Sequence, residues 1–250
     1  MNIIVLVKQV PDTEAKIRIA DDGKQIDESA VNFVVNPYDE FAIEAALQLK
    51  EAHGGEITLV LLGPDTAVAA LRTGLAMGAD KAVLLKADDS RFMDSFAVAS
   101  GLADAIKDRE FDLILCGKKA VDTDAQQVGT LVASRLNIPV ISSIVELSID
   151  DTNITAKREI EGGTEQVSAS LPAVLTCEKG LNEPRYPNLK GIMMAKKKPI
   201  EEIEIDSTGM AASIAGLEYP PQKAEGRIVG EGPEAAAELV KLLREEAKVI

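Results

Sequence analysis

The chain has 250 residues, of which 46% are hydrophobic and 27% charged, a composition typical of a globular protein with room for one large domain. Its 27 basic and 41 acidic residues give a net charge of −14, which argues against general nucleic-acid binding and favours a protein partner selected by charge. No apolar run reaches the roughly 18 residues of a membrane span, so we expect no direct membrane insertion.

Apolar runs alternate with amphipathic segments over the first 148 residues. The β-rich runs predict strands at Ile3–Val7, Ile57–Leu62, Ala82–Leu85, Leu113–Cys116 and Val140–Leu147. Helical periodicity between them predicts helices at about Pro37–Ala52, Asp65–Met77, Ser95–Lys107 and Asp124–Leu136. Strands that alternate with helices of this length predict an α/β fold with a doubly wound, mostly parallel sheet.

The pattern changes after about residue 148. Two β-rich runs, Thr155–Ile160 and Gln166–Ser170, flank a turn with two glycines and predict a β-hairpin insertion. Ala173–Cys177 then returns to the sheet as a strand. Residues 181–230 are rich in proline and weakly periodic, which predicts an extended arm, and a last helix is predicted from Pro233 to about Ala247.

These patterns predict a domain boundary near residue 180. Residues 1–180 would form an α/β domain, and residues 181–250 an extended C-terminal arm with a terminal helix. The first residues lack the features of a signal peptide and are interpreted as a strand. Cys116 and Cys177 end apolar runs, as buried thiols of a reducing compartment do, so we expect a cytoplasmic location.

No set of residues in the sequence forms a catalytic constellation. The sole histidine, His53, precedes two glycines at a predicted helix end, where a capping or solvated role is usual. One histidine and two distant cysteines cannot make a zinc site, and no nucleophile has a candidate base nearby. We therefore expect no catalytic residue and no metal ligand.

The strand that ends at Gly117 leads into a loop and then into the start of a helix. Glycine lets a backbone approach a ligand, and a helix start offers free N–H groups to a phosphate. Leu62 ends another strand in the same way, and Asn36–Asp39 could cap a helix on the facing side. An ordinary strand–turn–helix with an aspartate N-cap explains the segment equally well. The residues alone leave both interpretations open.

Several motifs in a fixed order resemble the β subunits of electron-transfer flavoproteins, and the resemblance covers nearly the whole chain. The motifs are Val5–Asp12, Asn36–Ala42, Leu71–Asp80, Gly117–Gly129 and Ala156–Thr176. The resemblance implies a heterodimer in which an α subunit holds most of the redox-active FAD, while the β subunit binds a second nucleotide, in most members a structural AMP. It implies that residues 1–180 form the nucleotide-binding domain, and that residues 181–250 provide a recognition loop, an extended arm and a terminal helix that packs on the partner subunit. By resemblance, this nucleotide would be bound by Leu6, Asn36, Pro37, Tyr38, Asp39, Leu62, Gly117, Lys118, Lys119, Ala120, Val121, Asp122, Thr123, Asp124, Ala125, Gln126, Gln127 and Val128.

Two departures from the AMP-binding pattern leave an alternative open. Gln126 and Val128 stand where AMP-binding members have Asn and Thr, and Val128 has no side-chain donor. Val128 and the Lys8–Asp12 start are closer to bifurcating relatives, which carry a second FAD that NADH reduces. The Leu181–Lys198 segment is closer to the non-bifurcating members, and we expect AMP.

The segment from Leu181 to Lys198 is predicted to bind partners. It combines two prolines, a short apolar turn and three consecutive lysines. The resemblance implies a recognition loop in which Leu181 inserts into a pocket on a flavoprotein dehydrogenase. Composition alone favours a different interpretation, with Leu181 packed inside the fold and the lysines as a solvated helix end, and the resemblance reverses that preference. The predicted partner-binding residues are Leu181, Asn182, Glu183, Pro184, Arg185, Tyr186, Lys196, Lys197 and Lys198.

The resemblance implies an electron carrier, not an enzyme. It would pass electrons from dehydrogenases, such as acyl-CoA dehydrogenases, to a membrane quinone oxidoreductase or another acceptor. Two other classes remain: a stand-alone adenine-nucleotide-binding module, and an enzyme that activates a substrate with ATP. Both require the chain to bind a nucleotide alone, and the second requires phosphate-handling residues that the sequence does not offer.

Overall fold

The structure of the protein is a computed structural model that describes residues 1–87, 90, 93–205, 210–222 and 225–250. The chain divides into two compact units, Met1–Leu217 and Glu218–Ile250. No helix within the described ranges is long and apolar enough to cross a membrane.

One large sheet dominates the first unit. Its strands are β1 (Asn2–Val7), β4 (Glu56–Gly63), β5 (Lys81–Lys86), β6 (Leu113–Gly117), β7 (Val140–Asp150), β8 (Asn153–Ile160), β9 (Gly163–Ser170), β10 (Ala173–Cys177) and β11 (Ile200–Glu204). They lie in the order β11-β5-β4-β1-β6-β10-β7-β8-β9. The pairs from β11 to β7 are parallel, and the β7–β8 and β8–β9 pairs are antiparallel. Two short strands, β2 (Gln9–Pro11) and β3 (Phe33–Val35), pair separately.

Helices cover both faces of the sheet. The helices of the first unit are α1 (Pro37–His53), α2 (Val68–Met77), α3 (Ser95–Ile106), α4 (Val128–Leu136) and α5 (Leu189–Ala195). The second unit, described by itself, contains α6 (Ala235–Glu245). The buried side chains of α1 and α2 join one apolar cluster, and those of α3 and α4 join a second cluster on the opposite face. With helices on both faces, β1 and β4 to β6 are almost continuously buried, as parallel strands are.

The path of the chain creates a switch point beside β1. From β1 the chain runs outward through β4 and β5, and then crosses back to add β6 on the other side of β1. The connecting helices lie on opposite faces of the sheet, so a crevice opens at the carboxyl ends of β1 and β6. Ligands of doubly wound sheets bind in such crevices.

The predicted α/β class, the mostly parallel sheet and the hairpin insertion are confirmed. The predicted helix at Asp65–Met77 begins with a separate 3₁₀ turn, Asp65–Ala67. The predicted arm is not extended throughout, because it contains the helix α5. It also contributes the edge strand β11 to the sheet. Residues 206–209 and 223–224 of that arm lie outside the described residues.

Two glycines with positive φ provide a matched test of this packing. Gly78 ends α2 with φ 145°, and a Cβ there would lie 2.7 Å from Leu47 Cδ2. Gly162, in the β8–β9 turn, has φ 79° and open space around it. We expect Gly78→Ala to lower the free energy of unfolding by about 3 kcal/mol, from backbone strain and overpacking, and Gly162→Ala by about 1 kcal/mol, from strain alone. Chemical unfolding measures both, and equal losses would contradict the packing role of Gly78.

Candidate functional site

The Asp39 carboxylate joins the carboxyl ends of two neighbouring strands. It lies in the first turn of α1 and is 5% exposed. One oxygen accepts a hydrogen bond from the Lys8 backbone N–H at 2.7 Å, and the other accepts from the Gly117 N–H at 2.9 Å. Because Lys8 follows β1 and Gly117 ends β6, this single side chain closes the crevice at its base.

The Asn36 amide holds the loop that follows β6. Asn36 is 1% exposed and precedes the first residue of α1. Its Nδ2 donates to the Lys119 carbonyl at 2.8 Å, and its Oδ1 accepts from the Val121 N–H at 3.2 Å. A buried amide that uses both its donor and its acceptor fixes the path of the loop backbone.

Gly117 allows the strand end and α1 to approach each other closely. A Cβ at this position would lie 2.5 Å from Asp39 Oδ1 and 2.6 Å from Tyr38 Cβ. Such contacts are far inside van der Waals distance, so any larger residue would push β6 away from the α1 first turn. Glycine at this position was predicted to let the protein backbone approach a ligand. It also lets the end of β6 approach the first turn of α1.

Three lysines around the loop form ion pairs. Lys8 Nζ lies 2.7 Å from Asp122 Oδ2, and Lys119 Nζ lies 2.5 Å from Asp124 Oδ1. Lys119 also lies over the Tyr38 ring, 5.6 Å from its centroid. Lys118 forms its ion pair with Glu178, which follows β10. The loop of residues 117–128, its braces Asn36 and Asp39, and these ion pairs together form a surface at the carboxyl edge of the sheet, here called the cradle. It is lined by both positive and negative side chains.

The loop enters α4 later than the sequence pattern predicted. Asp124 and Gln126 have φ values of 53° and 56°, and a residue in this left-handed region cannot continue a right-handed helix. The predicted helix start at Asp124 is therefore wrong, and α4 begins at Val128. The Gln127 side chain makes no capping hydrogen bond at this helix start, and the first-turn N–H groups have no acceptor within the helix.

The predicted nucleotide-binding residues occupy four environments. Leu6 and Leu62 are buried in the apolar cluster under α3 and α4, at 4% and 9% exposure. Asn36 and Asp39 are the buried polar braces described above. Half-buried positions are Pro37, Tyr38, Gly117, Lys118, Lys119, Ala120, Val121, Ala125 and Val128. Exposed positions are Asp122, Thr123, Asp124, Gln126 and Gln127.

Two residues of this cradle were missed by sequence reasoning. Lys8 and Glu178 directly follow the buried strands β1 and β10, and both form ion pairs with the loop. Charged residues placed immediately after a buried parallel strand meet at one edge of the sheet. That position was the signal that could have identified them.

The predicted partner-binding segment is held against α1 at its start. Leu181 is half-buried and packs against the apolar cluster under α1 and α2. Asn182 Nδ2 donates to the Phe41 carbonyl at 2.9 Å. The Arg185 guanidinium donates to both oxygens of Glu44, which is 3% exposed, and to Glu51.

This Arg185 clamp changes the electrostatics of its partner. Burial raises the pKa of Glu44, but the hydrogen bonds from Arg185 outweigh it, and the pKa lies below its ordinary value. Glu44 is therefore held ionised by a side chain of the predicted recognition loop, which makes the base of that loop part of the fold.

The rest of the segment divides between solvent and interior. Pro184 is half-buried, Glu183 is exposed and Tyr186 is 95% exposed. Lys196 and Lys197 are exposed, but the Lys198 ammonium donates to backbone carbonyls of α2 and the following turn. Large exposed apolar side chains lie on α5: Leu189 at 82%, Ile192 at 44%, Met193 at 71% and Met194 at 51%.

The pKa of Asp39 makes the brace at the base of the crevice sensitive to pH. Burial raises the pKa of this carboxyl to about 7, although the Lys8 and Gly117 N–H groups favour the carboxylate. The folded protein thus holds this proton more tightly than the unfolded chain, where the pKa is 3.8. Stability from this group is greatest below the unfolded pKa and falls as the pH rises from about 4 to about 7.

We expect Asp39→Asn, which cannot titrate, to remove this pH dependence. Wild type should lose stability relative to Asp39→Asn between about pH 5 and pH 7, and the difference should level off near pH 8. Chemical unfolding across this range measures the effect. Asp104→Asn, which removes an exposed carboxylate from α3, controls for net charge. Parallel curves for wild type and Asp39→Asn would contradict the assignment.

Comparison with known proteins gives the family. The electron transfer flavoprotein domain matches residues 23–208. The electron transfer flavoprotein subunit beta of Bacillus subtilis is 47% identical over all of both chains. That of Syntrophomonas wolfei is 42% identical over all of this chain and 98% of its own. The caffeyl-CoA reductase-Etf complex subunit CarD of Acetobacterium woodii is 36% identical over 98% of this chain and 99% of its own. The chain therefore belongs to the electron transfer flavoprotein family, as one of its β subunits.

Proposed function

We propose that the protein is the β subunit of a heterodimeric electron carrier. An α subunit would hold most of the FAD, and the complex would pass electrons from flavoprotein dehydrogenases to a membrane quinone oxidoreductase or another acceptor. The observation that carries the proposal is the cradle braced by Asn36 and Asp39 at the switch point of the sheet. Its fixed loop and charged rim support a nucleotide-binding role.

The cradle fits a nucleotide by three independent features. The loop after Gly117 is fixed by backbone-directed hydrogen bonds, so its own N–H and C=O groups can face a ligand without rearranging. The start of α4 offers uncapped N–H groups to a phosphate. Lys8 and Lys119 stand at the rim, where exchange of their aspartate partners for phosphate oxygens would keep their charge satisfied.

We propose AMP as the nucleotide of this subunit. The lost side-chain donor at Val128 does not remove the anion site, because the first-turn N–H groups of α4 belong to the backbone. Gln126 retains an exposed amide that can donate a hydrogen bond. One anion site at one helix start suits a single phosphate group.

A second FAD is the alternative nucleotide. It is favoured by the similarity to a caffeyl-CoA reductase-Etf complex subunit and by the Val128 substitution. A flavin bound there would supply a second redox group, and this chain would still contribute only binding, orientation and electrostatics. In both cases the redox chemistry belongs to the cofactor.

Docking on the dehydrogenase is proposed to use α5 and not Leu181. Leu181 packs against the core, whereas Leu189 and Met193 are the most exposed apolar side chains of α5. Lys190, Lys196 and Lys197 are exposed around them on a chain of net charge −14. A small apolar anchor within a positive rim suits a short-lived complex with an acidic partner surface.

Nucleotide content tests the cofactor assignment. We expect the purified heterodimer to release one FAD and one AMP when denatured, as measured by chromatography of the released nucleotides. Two FAD and no AMP would establish the alternative instead. A colourless protein that binds an adenine nucleotide without any α subunit would favour the stand-alone module.

Substitutions on α5 and at Leu181 distinguish a docking role from a packing role. We expect the double substitution Leu189→Ala, Met193→Ala to raise the KM for a reduced acyl-CoA dehydrogenase about tenfold with stability unchanged, because the lost contacts are made only in the complex. Leu181→Ala should instead lower the free energy of unfolding by about 2 kcal/mol and leave KM unchanged. The reverse pattern would restore Leu181 as the anchor.

A further inference from the structure

Helix α5 is attached to α2 by a guanidinium. Arg72, in the middle of α2, donates from Nη1 to the Ala195 carbonyl at 2.6 Å and to the Lys198 carbonyl at 2.7 Å. Ala195 is the last residue of α5 and Lys198 lies in the turn that follows, so both bonds are made to carbonyl groups at the carboxyl end of this helix. The positive charge also lies at the negative end of the helix dipole.

A basic side chain next to α5 likewise binds carbonyl groups at the end of α2. Lys198, which follows α5, donates from Nζ to the Leu75 carbonyl at 3.0 Å and to the Ala79 carbonyl at 2.5 Å. These carbonyls belong to the last turn of α2 and the residues just after it. Arg72 of α2 therefore binds carbonyl groups at the end of α5, and Lys198, just after α5, binds carbonyl groups at the end of α2.

Close backbone packing completes the attachment. A Cβ at Gly191 of α5 would fall inside contact distance of the Ala76 carbonyl oxygen of α2, so the two helices touch through their backbones. Ala195 is 3% exposed at the same interface. The sequence motif Leu71–Asp80, which the nucleotide cradle does not use, is thus the platform for α5.

A seven-residue helix needs such a platform, because helices of this length are unstable alone in water. Without it, Leu189 and Met193 would sample many positions, and ordering them on binding would cost conformational entropy. The platform holds these side chains in place while leaving them 82% and 71% exposed.

We propose that Arg72 is a positioning residue for electron transfer between proteins: it locks α5 onto α2, so that the apolar side chains of α5 meet the dehydrogenase as a preformed surface. This inference rests on the proposed docking function of α5. Arg72 itself is half-buried under the helix and acts through it.

The test compares Arg72→Met with two matched variants in the complete FAD-containing heterodimer. Arg72→Lys keeps the charge and a single nitrogen donor, which suffices because one nitrogen of Arg72 makes both bonds. Arg109→Met removes a guanidinium that pairs with Glu201 of β11, the strand after α5, without touching α5. The donor is an acyl-CoA dehydrogenase reduced by its acyl-CoA.

We expect Arg72→Met to raise the KM for the donor about tenfold with kcat within about twofold of wild type, since preorganisation affects binding. FAD content and the rate of donor-independent photoreduction should not change. Amide exchange of residues 189–195 should become faster. Arg72→Lys should restore most of the KM, and Arg109→Met should leave it at the wild-type value.

Other results would contradict the locking of α5 by Arg72, the need for a preformed surface, or the docking function of α5. Unchanged exchange in α5 of Arg72→Met would show that Arg72 does not lock the helix, and faster exchange with an unchanged KM would show that docking needs no preformed surface. If Arg72→Met does not assemble, Arg72→Gln, whose shorter and uncharged side chain weakens both bonds, is compared with Arg109→Gln. Faster amide exchange of residues 189–195 and a raised KM in Arg72→Gln alone would support the proposal, and wild-type values for both would overturn it. A Leu189→Ala, Met193→Ala variant with unaltered KM would instead remove the docking function itself.

Discussion

The first turn of α1 is the constraint on which the rest of the site depends. Asp39 accepts hydrogen bonds from the backbones that follow β1 and end β6, and Asn36 binds the loop that leaves β6. Parallel strands bring their carboxyl ends to one edge, but they do not by themselves shape the loops there. Two buried polar side chains convert that edge into a cradle of fixed shape.

The same helix supports the docking segment further along its length. The Phe41 carbonyl and the Glu44 carboxylate hold Asn182 and Arg185, within about one and a half turns after Asp39. Helix α1 therefore holds both the cradle and the start of the segment that leads to α5, while α2 holds α5 itself. For the proposed electron carrier, these supports would fix the docking surface relative to the nucleotide site.

The distribution of charge and apolar surface is consistent with this role. Most of the lysines around the cradle are paired with acidic residues, whereas Lys196 and Lys197 beside α5 are exposed. An acidic chain that concentrates exposed positive charge next to an exposed apolar helix face favours rapid encounter with an acidic partner over tight binding. Specificity then comes from the shape of a small anchor and not from a large interface.

The sequence by itself determined the fold class, the alternation of strands and helices, the position of the Gly117 loop and the basic, apolar segment after residue 181. These follow from local periodicity, turn residues and motif order, which need no knowledge of distant contacts. Three features were decided only by the tertiary structure. Left-handed residues at Asp124 and Gln126 delay α4 to Val128, at the end of a loop whose first residues are held by long-range hydrogen bonds to Asn36. Leu181 is half-buried against the core and Leu189 is exposed, because packing against the cluster under α1 and α2, not hydrophobicity, distinguishes two leucines of one segment. Arg72 and Lys198 exchange caps across more than a hundred residues of chain, a relation that no local pattern contains.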